Sequence, residues 1–342
     1  NRLLQGDVGC GKTVVAAAAA HLAIMNGLQV GIMVPTQILA VQHMETFTRL
    51  PEGQGFRPVL ITAGLTMGQR KKIYHGVQQG RFNLVIGTHA LIQEPLVFTE
   101  LGLVIIDEQH RFGVQQRALM SQKGDHPHLL VMTATPIPRT LALALYGDMP
   151  ISMIKEKPKD SPPVITRLAS EGDKREVYET VRRRLSRGQQ AFVICPVIES
   201  TGDGGLKSAV EMAESLKKLL SPPFRVGLLH GDQSPDERQA MMDHFRKGTV
   251  HLLVGTTVVE VGVHVPNATV MVIEEPERFG LAQLHQLRGR IGRGNDQGIC
   301  YLMESSRPSQ KALDRLSFFV RENDGFRIAQ KDLETRGQGE LI

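Results

Sequence analysis

Gly6-Asp7-Val8-Gly9-Cys10-Gly11-Lys12-Thr13 decides how the rest of this chain is read. A glycine, four residues and then Gly-Lys-Thr is the pattern of a phosphate-binding loop. The flanks agree with it. Leu3-Leu4 reads as the end of a strand, and Val14-Val15, the alanines through Ala20 and His21 to Asn26 read as a helix of good formers closed by Gly27. Gly6, Gly9 and Gly11 let backbone N–H groups turn inward around phosphate oxygens, with Asp7 inside the same cradle. A helix N-terminus behind the loop adds partial positive charge. Lys12 reaches β- and γ-phosphates in such a loop, and the Thr13 hydroxyl ligates Mg²⁺.

The length of 342 residues suggests about two domains, and a hydrophobic share of 41% is enough for sizeable cores. No apolar run approaches the roughly 18 residues of a membrane span, and no secretory or transit segment opens the chain. Cys10, Cys195 and Cys300 are far apart and show no metal spacing, so a reduced, cytoplasmic compartment is expected. His43, His110, His230 and His285 lack zinc-site spacing and read as hydrogen-bonding groups. The net charge of +5 permits a polyanionic partner without requiring one. Aromatic residues make up 5% of the chain and tryptophan is missing, which argues for tracking a nucleic-acid backbone rather than stacking on bases.

Short apolar runs alternate with helical patterns throughout. Residues 29–34, 59–62, 84–87, 103–107 and 129–133 read as buried strands, with helices over 37–50 and 67–79 between them. Continuous apolar strands separated by helices indicate a parallel sheet covered on both faces. Residues 155–163, charged and proline-rich, break the pattern and read as a linker. The alternation then restarts, with strands over 191–195, 226–229, 252–255 and 270–273 and helices over 174–186, 208–220 and 235–247. Thr201 to Gly205 reads as a flexible loop, and 308–334 as a charged helical stretch outside the second sheet. The expected division is 1–154, a linker over 155–163, 164–304, and a helical tail over 305–342. Asn1 lies only a few residues before the loop, so the chain reads as a piece of something longer.

Several polar clusters sit at strand ends, where ligands bind in parallel sheets. Asp107-Glu108-Gln109-His110 follows one strand; Asp107 is placed to hold Mg²⁺, directly or through water, and Glu108 to orient and polarise an attacking water. By itself the cluster is equally an acidic turn. Thr133-Ala134-Thr135-Pro136 ends another strand, and the hydroxyls of Thr133 and Thr135 are placed to link the nucleotide site to the neighbouring domain. In the second half, Gln286-Leu287-Arg288-Gly289-Arg290-Ile291-Gly292-Arg293 carries arginines that can share a helical face or its end. Phosphoryl transfer gains from arginine supplied to the developing charge; the bland alternative is a solvated or nucleic-acid-facing basic helix. Thr36, Thr88, Thr256, Thr257 and Gly262 occupy further strand ends and are candidates to hold nucleic-acid phosphates.

In order, these stretches resemble the motifs of superfamily-two helicases, over essentially the whole chain. The runs Asp107 to Val114, Met132 to Thr140 and Glu277 to Arg290 resemble the RecG family more narrowly. Phe326 to Gly337 looks like that family's translocation motif, with Arg336 in it. The resemblance implies an α/β fold of two tandem RecA-like parallel-sheet domains plus a short helical tail. It implies ATP and Mg²⁺ as cofactors, Gln286 among the nucleotide contacts, and Arg290 and Arg293 reaching the γ-phosphate on domain closure. It implies an ATP-dependent double-stranded DNA translocase, monomeric and nucleoid-associated, that remodels stalled forks and migrates Holliday junctions in recombination and repair. The family's N-terminal wedge and its adenine-contacting segment are missing from these residues. A transcription-repair coupling translocase and an ATP-gated DNA-binding module without turnover are the rival readings.

Overall fold

The computed structural model describes residues 1–50, 55–92, 95–108, 119–120, 122–134, 149–156, 162–196, 204–220, 222–256, 265–292, 294, 296–305 and 308–336. The chain forms two compact units, Asn1–Lys157 and Pro158–Ile342.

The first unit runs β1 (Arg2–Gly6), α1 (Lys12–Met25), β2 (Gln29–Met33), α2 (Gln37–Arg49), β3 (Pro58–Ile61), α3 (Met67–Gln78), β4 (Leu84–Gly87), β5 (Leu101–Ile106), β6 (His128–Thr133) and β7 (Ile151–Ile154). The sheet has seven strands in the order β3-β4-β2-β5-β6-β1-β7. Every neighbouring pair is parallel. Val30, Ile32, Leu84, Val85, Ile86 and Val104 to Ile106 are all fully buried, which is why these strands read as unbroken apolar runs. Helix starts are chemically marked: Thr36 accepts from the Leu39 N–H at 3.4 Å, and Thr66 forms a capping box with Gln69. The sequence reading passed over β7, a half-buried edge strand of mixed polarity. It returns the chain to the sheet beside β1, where the Leu3 N–H donates to the Pro150 carbonyl at 2.9 Å.

The second unit runs β8 (Ile165–Ala169), α4 (Lys174–Leu185), β9 (Gln190–Ile194), α5 (Gly204–Leu220), β10 (Val226–Leu229), α6 (Pro235–Arg246), β11 (Leu252–Gly255), β12 (Ala268–Glu274), α7 (Leu281–Arg288), β13 (Ile299–Met303), α8 (Gln310–Arg321) and α9 (Gly325–Arg336). Its six parallel strands follow the order β10-β11-β9-β12-β13-β8. Val181, Val193, Val254 and Val272 are fully buried in one core with Leu216. The structure corrects one expectation and adds two strands. Gly204 and Gly205 belong to the first turn of α5 rather than to a loop. β8 and β13 complete the sheet, although neither was read as a strand. The tail is two helices built into this unit: α8 lies against β8, α9 against α7, and Leu316, Phe319 and Ile328 are fully buried.

Candidate active site

The loop between β1 and α1 takes a shape only glycine holds without strain. Gly9 has φ 79° and Gly11 φ 96°, and Gly11 is the N-cap residue of α1. A glycine has no side chain to satisfy the first N–H groups of the helix, and no acidic residue occupies its first turn. Those donors face whatever the loop holds, which is the arrangement that binds an anion. Lys12 donates to the Gly6 carbonyl at 2.7 Å and to the Asp7 carbonyl at 3.0 Å. The Cys10 N–H donates to the same Asp7 carbonyl at 3.2 Å, and the Asp7 carboxylate accepts from the Val8 N–H at 2.6 Å. Thr13 is half-buried one residue further on.

Asp107 and Glu108 follow β5. The Asp107 carboxylate is 8% exposed and fixed through both oxygens. Oδ1 accepts from the Glu108 N–H at 3.0 Å, and Oδ2 meets His43 Nε2 at 3.0 Å. Burial alone pushes its pKa up. The hydrogen bond and charge of His43, the Lys12 ammonium and the Glu108 N–H outweigh burial and hold it below the ordinary 3.8. Asp107 is therefore an ionised carboxylate within the electrostatic reach of Lys12. Glu108 sits at φ 52°, a left-handed backbone that a non-glycine residue adopts at a cost of roughly 1–3 kcal/mol and that clusters at functional sites. Gln109 and His110 lie outside the described residues.

Thr36 is half-buried at the start of α2, Thr88 is buried at the end of β4, and Thr133 is fully buried at the end of β6. Full burial suits Thr133 to an internal link rather than to a phosphate contact. In the second unit Thr256 is buried after β11, with its N–H on the Leu229 carbonyl at 3.3 Å. Thr135, Thr257, Gly262 and Arg293 lie outside the described residues, as does the side chain of Arg336 at the end of α9.

The arginine stretch proves to be a helix end. α7 stops at Arg288, so buried Gln286 is helical while Arg290, 6% exposed, follows in the turn. Arg288 points inward. It donates to Thr166 Oγ1 at 3.2 Å and to the Phe319 and Glu322 carbonyls at 3.2 and 3.0 Å. Its guanidinium stacks 4.3 Å from the Phe319 ring centre. At the other end of α7, Asp332 accepts from the Leu281 N–H at 2.7 Å and the Ala282 N–H at 3.4 Å. The sequence reading missed the roles of His43, Arg288 and Asp332. His43 had a local signal, a polar residue on the apolar face of Leu39, Ala40 and Phe47; Asp332 had none, because its partners are about fifty positions away.

A family model for DEAD/DEAH box helicases matches residues 1–144, and one for the helicase conserved C-terminal domain matches residues 174–295. The ATP-dependent DNA helicase RecG of Aquifex aeolicus is 50% identical over 348 residues, spanning 100% of this chain and 44% of that protein. RecG of Escherichia coli K12 is 48% identical over 351 residues, spanning 100% of this chain and 50% of that protein. The chain thus spans about half the length of the curated relatives it matches. A structure of RecG bound to a three-way DNA junction superposes with a TM-score of 0.82 at 47% identity, over 100% of this chain and 44% of that one. The structure of S. cerevisiae Dbp5 bound to RNA and ADP BeF3 superposes at 0.71 with 17% identity, over 97% of this chain and 89% of that one, a likeness of fold alone.

Proposed function

The chain belongs to the RecG family over its helicase portion, and from that membership we propose that it is the ATP-driven part of a translocase on branched or forked double-stranded DNA. In this reading it remodels stalled replication forks and migrates Holliday junctions. The observation that carries it is the pairing, in one unit, of an uncapped helix behind a glycine loop with an ionised carboxylate near Lys12. The junction-bound relative supports branched DNA as the substrate.

The donor set fits Mg²⁺. Among the described residues no three His, Cys, Asp or Glu side chains gather to hold a metal alone. A single carboxylate and a hydroxyl, completed by substrate phosphates and water, is how Mg²⁺ is usually held. Asp107 and Thr13 are assigned to it, and when bound it neutralises charge on the transferring phosphoryl group. Lys12 exchanges its carbonyl partners for the β- and γ-phosphates, while N–H groups of the Gly9–Thr13 segment cradle them. Glu108 orients the attacking water and accepts its proton. Arg290 and Arg293 are assigned to positive charge at the γ-phosphate, and Gln286 to the nucleotide contacts. Thr36, Thr88, Thr256, Thr257 and Gly262 are assigned to DNA phosphates, Thr133 and Thr135 to the link between ATP and DNA, and Arg336 to movement. One copy carries all of these groups, so a monomer suffices, and its substrate places it at the nucleoid.

The experiment is phosphate release by the intact protein with no nucleic acid, single strand, duplex, fork and RNA. Forked or branched duplex should stimulate most. Equal stimulation by RNA and fork would overturn the substrate assignment.

A further inference from the structure

His43 does not belong to the loop, to the carboxylate pair or to any strand end, yet its ring meets the Asp107 carboxylate at 3.0 Å. We propose that His43 is a positioning residue that orients Asp107 for Mg²⁺, and that it makes α2 the strut joining Thr36 to that carboxylate. The proposal rests on reading this site as the Mg²⁺–ATP site.

The geometry is specific. An ionised carboxylate only accepts, so His43 Nε2 must carry the hydrogen in the 3.0 Å contact with Oδ2. The Glu108 N–H holds Oδ1 at the same distance. Two donors on two oxygens fix the plane of the carboxylate and leave further lone pairs for a cation or its water. Nothing else among the described residues accounts for an imidazole at this position. The ring is 4% exposed, and its Nδ1 is buried with no hydrogen-bond partner among them. It stands on the face of α2 formed by Leu39, Ala40 and Phe47, where an aliphatic residue would pack equally well. Such a residue would leave the buried Asp107 carboxylate without its side-chain partner, which is costly.

The helix is anchored against rolling. Phe47 is 2% exposed and meets Phe56 edge-on with ring centres 5.2 Å apart. Thr36 caps its first turn, about 10 Å along the axis from His43 at 1.5 Å per residue. A backbone held at Thr36 therefore fixes the imidazole, and the imidazole fixes the carboxylate. Partners that orient metal ligands typically change metal affinity by roughly 10–100-fold when removed.

The test uses intact protein, Mn²⁺ as the probe metal and a non-hydrolysable ATP analogue. Bound Mn²⁺ is counted by electron paramagnetic resonance, with and without forked DNA, alongside thermal melting. His43→Leu should keep the packing and weaken Mn²⁺ binding roughly 10–100-fold. Its loss should be larger with DNA present than without. His43→Gln, whose amide N–H reaches the same oxygen, should recover much of that affinity. Wild-type Mn²⁺ affinity in His43→Leu would overturn the proposal, and so would equal affinities in the Leu and Gln variants. If both variants melt out alike, His43 is a core residue and the proposal also fails. If the wild-type protein binds no Mn²⁺ with the analogue, the Mg²⁺–ATP reading itself falls.

Discussion

The helices α1 and α7 each have a glycine as N-cap residue, and their first turns are completed by different means. α1 starts at Gly11 with no side-chain cap and no acid in its first turn. α7 starts at Gly280, equally without a capping side chain of its own, but its first N–H groups are taken by the Asp332 carboxylate of α9. The same chemical need, an acceptor for orphan N–H donors at a positive helix end, is met at α7 by the protein itself and is left at α1 for the phosphate that the proposed function assigns there. A helix end left open is a binding site; one closed by a carboxylate is a joint.

Removing the groups that serve the open end should cost the most. Lys12→Ala should abolish ATP turnover, since the β- and γ-phosphates lose their fixed positive charge, while DNA binding without ATP persists. Near-normal DNA-stimulated phosphate release from this variant would erase the distinction between the two helix ends. Arg293→Ala should follow, lowering turnover by about 10³–10⁵ if it serves the γ-phosphate as a finger. Intact turnover with weakened DNA binding would instead mark it as a basic surface residue. Asp332→Ala, at the closed end, should act on stability. Leaving two N–H donors of α7 without their acceptor should cost about 1–3 kcal/mol in denaturant unfolding, with nucleotide affinity nearly unchanged. A collapse of nucleotide affinity without loss of stability would show that the two ends are not separate in function.

The smallest effect belongs to a third kind of start. α6 begins with a capping box in which the Ser234 N–H and hydroxyl donate to Glu237, both at 2.8 Å. The Ser234 backbone N–H first, and its hydroxyl second, hold the Glu237 pKa below the ordinary 4.5. A lowered folded value means that this stabilisation is present above pH 4.5 and is lost as pH falls through the folded value. Glu237→Gln should therefore differ slightly from wild type in thermal melting at neutral pH and converge with it in acid. A difference that persists at low pH would show that charge is not what the box contributes.

Much of the fold was legible because its signals are local. The buried strands β2, β4 and β5 announced themselves as apolar runs, and α3 and α6 as helical stretches over 67–79 and 235–247. β7 was not legible, since an edge strand with half-buried positions has no strong period. At the candidate site, Lys12, Thr13, Asp107 and Glu108 stand out by spacing and by position after a strand. His43 passed as an ordinary hydrogen-bonding histidine, because its partner lies 64 positions away.

The sequence by itself determined the chemistry on offer: a glycine loop closed by Lys12 and Thr13, a carboxylate pair after an apolar strand, and an arginine stretch in the second half. Backbone conformation and short-range spacing encode these, so they survive being read in one dimension. Only the tertiary structure decided which of those groups are held and by what. It put His43 on Asp107, turned Arg288 inward onto Phe319 and the end of α8, and closed the start of α7 with Asp332. Each of these is a contact between residues brought together by sheet order and helix packing. Such contacts depend on the low dielectric and fixed geometry of a folded interior, which no local stretch of sequence possesses.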